Sequence, residues 1–143
     1  MKKVYNLLFI LHLFVGLGAI AGGSMAIINT QDPAGITIDA LKNSPFSNFF
    51  IPGIILFTVI GVGNVFSAVS ILFKSKYQGY ISSIVSWALI IWIIVQCIML
   101  ETVIYLHVIF FIIGLIEAFL SILILFKQRL FPTNIIYILM KKL

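Results

Sequence analysis

The sequence predicts an all-α membrane protein: a bundle of four transmembrane helices, both termini cytoplasmic, with an outer helical loop between the first two helices. Three observations predict it. First, 62% of the 143 residues are hydrophobic and only 9% are charged, against about 25% charged in an average soluble domain. Second, four apolar runs approach the ~20 residues a helix needs to cross the hydrocarbon core. Third, every basic residue except Lys42 flanks those runs on one side of the membrane, which is how orientation is encoded. So thinly charged a chain cannot cover a water-facing surface, which excludes a soluble enzyme, a nucleic-acid binder and a disordered regulator. The net charge of +5 belongs to topology rather than to a nucleic-acid partner.

The first span covers 4–28, after Lys2 and Lys3. Lys2-Lys3, an apolar run and Ala19-Ile20-Ala21 also fit a cleavable signal peptide, but the run continues to Ile28, and a retained helix is the expectation. The outer loop covers 29–51. Asp32-Pro33-Ala34-Gly35 has the residues of a type I turn. Ser44-Pro45 has the form of a helix start, Ser capping and Pro at the first helical position. A short interfacial helix there would bury Phe46, Phe49, Phe50 and Ile51 and leave Ser47 and Asn48 in water. Such a loop is a lid over the bundle or a binding loop, and its lack of clustered ionisable groups favours the lid.

The second span covers 52–73 and is joined to the third, 81–100, by a polar stretch from Lys74 to Gly79. Glu101-Thr102 makes a tight connection to the fourth span, 104–126. The tail, 130–143, turns at Pro132, with Thr133 or Asn134 as a cap. Its apolar run from Ile135 to Met140 is too short to span and, with Lys141 and Lys142, reads as an interfacial anchor. Backbone polar groups in lipid must be satisfied internally, so the spans are helices. Their apolar residues run continuously, unlike the alternation of a barrel.

Helices in lipid associate largely through close packing of small residues. Stripes at three- and four-residue spacing predict the inner faces: His12, Gly16, Ala19, Gly23 and Ala26; Gly53, Phe57, Gly61, Asn64 and Ala68; Ser82, Ser86, Leu89, Ile93 and Gln96; His107, Phe110, Gly114, Glu117 and Ser121. Gly18 and Gly22 form a GxxxG on an adjoining strip. No internal repeat is found.

Of all the charges, only Glu117 falls inside the membrane. An ionised carboxylate at the bilayer centre costs about 2.5–3.5 kcal/mol even on the lenient insertion scale. At about 1.5 Å per residue, Glu117, His12, Asn64 and Ser86 come to similar depths, one per helix, as a candidate intramembrane polar site. It is either a hydrogen-bonded layer that fixes helix register, with Glu117 neutral, or a proton- or cation-linked site. A candidate outer polar pair is Gln96 and His107, expected to hydrogen-bond across the last two helices. The histidines are about 15–20 Å apart in depth, too far to share a haem, and no residue set for catalysis, a cofactor or a metal is found. Cys97 is the only cysteine, so no internal disulfide forms. Trp87, Trp92 and Tyr105 read as packing or interface residues.

Gly22-Gly23, Asp32-Pro33-Ala34-Gly35, Leu41, Ser44-Pro45-Phe46, Pro52-Gly53, and Trp92 with Gln96 form a spaced pattern. It resembles a group of small uncharacterised bacterial four-helix integral membrane proteins. The resemblance covers roughly the first two thirds of the chain and implies that architecture and a bacterial cell membrane, with no activity attached. The chain departs from the pattern at Leu106-His107, where Leu-Gln is expected, and Glu117 lies outside it. The expected function is a non-enzymatic accessory or lipid- or partner-binding membrane module, its partners being membrane lipids and a second copy or another membrane protein. The alternative is a small proton- or cation-linked transporter or channel using Glu117 and His12.

Overall fold

Helix α1 runs from Lys2 to Ile28, and the computed structural model describes all 143 residues, Met1 to Leu143. Three more helices follow that are long and apolar enough to cross a membrane: α2 (Phe50–Leu72), α3 (Gln78–Leu100) and α4 (Tyr105–Gln128). A short α5 (Thr133–Lys142) ends the chain. Observed helix ends lie within three residues of the expected spans at every boundary. Contacts run around a square, α1–α2, α2–α3, α3–α4 and α4–α1, with the last seam the thinnest. Residues Met1, Lys74 and Lys127 border one groove, so the start of α1 and the ends of α2 and α4 share one end of the bundle.

The small-residue stripes decide which seams close. A Cβ on Gly23 would sit 2.7 Å from the backbone N of Phe57, and one on Gly61 would sit 3.0 Å from that of Ile20. Helices α1 and α2 therefore meet backbone to backbone, the close approach that van der Waals packing in lipid requires. Both contacts fall within a wider, π-helical segment of α2, Leu56–Val62. Side chains serve carbonyls beside the wide turn: Thr58 Oγ1 donates to Ile54 O at 2.7 Å and Asn64 Nδ2 to Ile60 O at 2.8 Å. Such segments are frequent at functional sites. Elsewhere serines tie the seams, Ser67 Oγ to Ser82 Oγ (2.9 Å) across α2–α3 and Ser83 Oγ to Ser121 Oγ (2.8 Å) across α3–α4. Each such bond contributes on the order of 0.6 kcal/mol in lipid.

Helix ends are made by the local chain. Lys74, Glu101 and Arg129 adopt left-handed backbone angles (φ 50°, 49° and 53°). After α2 and α4 this closes a six-to-one bond, Ser75 N–H to Ser70 O at 3.0 Å and Leu130 N–H to Leu125 O at 3.1 Å, satisfying terminal carbonyls.

Three local expectations are corrected. Pro33–Gly35 is a 3-10 turn in which Ala34 has φ +53° and Gly35 φ +83°; a type I turn needs negative φ at Ala34. No helix starts at Ser44-Pro45. Ser44 Oγ instead donates to Leu41 O at 2.8 Å and accepts Phe46 N–H at 3.3 Å, closing a turn after the 3-10 segment Ile38–Leu41. Tertiary ties override the local signal: Phe49 N–H reaches back to Thr30 O (2.9 Å), and Asn43 Nδ2 donates to Glu101 Oε1 (2.9 Å). Leu41 and Phe49 are buried with Ala26 and Met99, so the loop caps that end of the bundle. Neither Thr133 nor Asn134 caps α5. Thr133 Oγ1 turns back to Leu125 O (2.9 Å) and Leu130 O (2.6 Å), docking α5 against the end of α4.

Candidate functional site

At mid-bundle the structure brings three of the four expected polar residues together. His12, Asn64 and Glu117 are fully buried. Because Asn64 Nδ2 donates to Ile60 O, its Oδ1 faces His12 and accepts from His12 Nδ1–H at 2.7 Å. That bond fixes the proton on Nδ1. Glu117 Oε1 stands 3.3 Å from the same Nδ1, the only ion contact in the chain. The contact lacks hydrogen-bond geometry, and both Glu117 oxygens, like His12 Nε2, have no hydrogen-bond partner. Ser86, also fully buried, does not join them, because its hydroxyl donates to Ser82 O at 2.6 Å within α3. A hydroxyl can back-bond to the carbonyl four residues earlier wherever it lies on a helix, and depth arithmetic cannot foresee that choice. The layer borders neither large cavity of the molecule.

Toward the loop end lies a different feature, a half-open cavity of about 300 Å³ walled by α1, α2, α3 and α4 and roofed by Pro33, Ala34, Ile36 and Phe49. Apart from the roof, its exposed lining residues are Gly18 and Met25 on α1 and Ile104 and Leu106 at the start of α4, so it opens at the thin α1–α4 seam. One level below, Phe14 and Phe110 stack at 5.9 Å between centroids and close the seam. At the next turns α1 offers Gly18 and Gly22 instead of side chains. A Cβ on Gly18 would meet only Phe110, at 3.6 Å. One on Gly22 would meet only Leu56 of α2, at 3.4 Å, so neither glycine brings two backbones together, and Gly18 leaves room beside α4. The remaining wall is apolar, chiefly Val15, Met25, Leu56, Leu89, Ile93 and Met99.

Both members of the outer pair, Gln96 and His107, line this cavity, but they do not hydrogen-bond to each other. His107 Nδ1 accepts the backbone N–H of Ile104 at 3.4 Å, in the first turn of its own helix. That orphan N–H at a helix start is the nearer donor. Trp92, expected as a packing or interface residue, also lines the cavity, and its buried indole Nε1–H has no partner. Trp87, by contrast, lies half exposed on the outside of α3. Sequence reasoning missed the cleft because it is made by missing side chains. The one signal available was that Gly18 and Gly22 lie off the stripe holding Gly16 and Gly23. No family model matches the chain, and no curated protein or solved structure is significantly similar to it.

Proposed function

We propose that this chain is a non-enzymatic, multi-pass protein of the bacterial cell membrane that binds an uncharged lipid-like molecule in the loop-end cleft. The single observation that carries this reading is the cleft itself: apolar walls, no charged lining residue and a mouth at the level of Gly18 and Gly22 in an otherwise lipid-facing seam. Ligand sites are concave, mostly apolar and carry a few placed polar groups, and Trp92, Gln96 and His107 supply those groups.

Orientation follows from charge. Lys2, Lys74 and Lys127 border a groove at the end opposite the lid, and basic residues favour the cytoplasmic side with its anionic lipids. The lid and the cleft mouth then face the outer leaflet, and α5, with Ile135 to Met140 exposed, lies against the inner surface. A proton- or cation-linked transporter needs water to reach Glu117. Its side chain, like those of His12 and Asn64, is fully buried and apart from both cavities, so the geometry lends that reading less support.

The test is native mass spectrometry of the protein released from membrane-derived nanodiscs. The natural chain should carry an adduct of lipid mass that survives mild activation, and Gly18→Leu, which fills the mouth, should lose it. An adduct retained equally by both proteins would place the lipid elsewhere and end the reading.

A further inference from the structure

The polar atoms of the cleft say what the head of its occupant must be. Trp92 is only 6% exposed, and its indole Nε1–H has no acceptor, an unmade bond of the kind that native structures rarely tolerate. On the facing helix His107 is 7% exposed. Its Nδ1 is taken as acceptor by the Ile104 N–H, so the neutral ring carries its proton on Nε2 and offers a second donor. Gln96, one turn after Trp92 on α3, adds an amide on the same wall. Two residues of the cleft wall thus carry N–H groups with no acceptor in the protein, and no lining residue bears a carboxylate or ammonium to balance a charged head.

We propose that the occupant carries uncharged carbonyl oxygen, accepted from Trp92 Nε1–H and His107 Nε2–H, with its chains leaving past Gly18 into the bilayer. This rests on the reading of the cleft as a lipid site. Two sources carry the same chemistry: the ring carbonyls of an alkylated quinone and the ester carbonyls of a diacylglycerol. A third molecule, the dialkyl ether of glycerol, has the same chains and hydroxyl but no carbonyl.

The experiment follows the single indole N–H resonance of Trp92 in Trp87→Phe protein, in nanodiscs, as decyl-benzoquinone, dioctanoylglycerol or dioctylglycerol ether is added. The resonance should move downfield with the quinone or the ester and stay nearly still with the ether, and the larger shift at equal loading identifies the source. Affinity for the better carbonyl ligand should exceed that for the ether by about three- to tenfold, the worth of one net hydrogen bond. His107→Phe, which deletes one of the two donors, should weaken that preference while leaving ether binding intact. If ester, quinone and ether bind equally and none moves the resonance downfield, the cleft takes lipid without reading its head, and this proposal falls while the lipid site stands. If none of the three binds, both fall.

Discussion

Replacing Glu117 by leucine should leave the bundle as stable as before or make it more stable. The reason lies in who bonds whom. His12 Nδ1–H already has Asn64 Oδ1 at 2.7 Å, whereas Glu117 Oε1 lies at 3.3 Å and neither carboxyl oxygen is hydrogen-bonded. Removing the carboxyl orphans nothing. A buried carboxyl with no hydrogen-bond partner itself costs about 1–3 kcal/mol, so exchanging it for leucine should range from neutral to stabilising by about that much. His12→Leu is the opposite case. It leaves Asn64 Oδ1 unpaired and strips Glu117 of its only polar neighbour, so the loss should be at least about 1–3 kcal/mol. The double variant should recover at least about 1 kcal/mol of the His12→Leu loss, because the stranded carboxyl is gone too. Equilibrium unfolding by dodecyl sulfate in mixed micelles, followed by far-UV circular dichroism, reads all three. A Glu117→Leu protein destabilised by more than about 1 kcal/mol, with no coupling to position 12, would refute the reasoning and make the carboxyl a structural tie.

Three further outcomes follow from the packing. Gly22→Ala meets Leu56 Cδ2 at an ordinary 3.4 Å, while Gly23→Ala meets Phe57 backbone at 2.7 Å. The first should gain up to about 1 kcal/mol from helix propensity. The second should lose about 1–3 kcal/mol to overpacking, so two adjacent glycines should part in opposite directions in the same dodecyl sulfate titration. Leu41→Ala removes a residue 2% exposed in the lid cluster with Ala26, Phe49 and Met99. It should cost about 2–5 kcal/mol and speed backbone hydrogen exchange across the lid, residues 29–49. Thr133→Val removes the one hydroxyl proton shared between Leu125 O and Leu130 O, worth about 0.5–1.5 kcal/mol. Exchange should rise in α5 and stay unchanged in α1; equal protection in α5 would show that the hydroxyl does not dock it.

The inner faces of the helices were legible because they repeat at helical spacing, and twenty residues of apolar sequence admit one structure in lipid. All five residues of the α1 stripe are buried, from His12 to Ala26. The polar layer was legible to the extent that depth decides contact. Depth brought His12, Asn64 and Glu117 to one level, but the choice of Ser86 to bond its own helix is a rotamer matter that spacing does not encode. The π segment at Leu56–Val62 left no mark in the apolar pattern, since a wide turn changes phase without changing composition. In the lid, Ser44-Pro45 has the right chemistry for a helix start, and long-range bonds from Asn43 and Phe49 outweighed it. The cleft was hidden for a different reason. GxxxG is usually read as contact, and only the partner helix reveals whether the bare strip is covered or left open.

The most direct measurement uses the cleft's own tryptophan. In Trp87→Phe protein, reconstituted in bilayers that hold a diacylglycerol with brominated chains and excited where tyrosine does not absorb, fluorescence comes from Trp92 alone. That side chain is nearly sealed by neighbouring helices and lines the cleft. A lipid chain seated there should quench Trp92 about as strongly as exposed Trp87 is quenched in Trp92→Phe protein, and Gly18→Leu should abolish the first effect while sparing the second. Trp92 emission that brominated lipid leaves unchanged, with Trp87 quenched beside it, would contradict a lipid in the cleft.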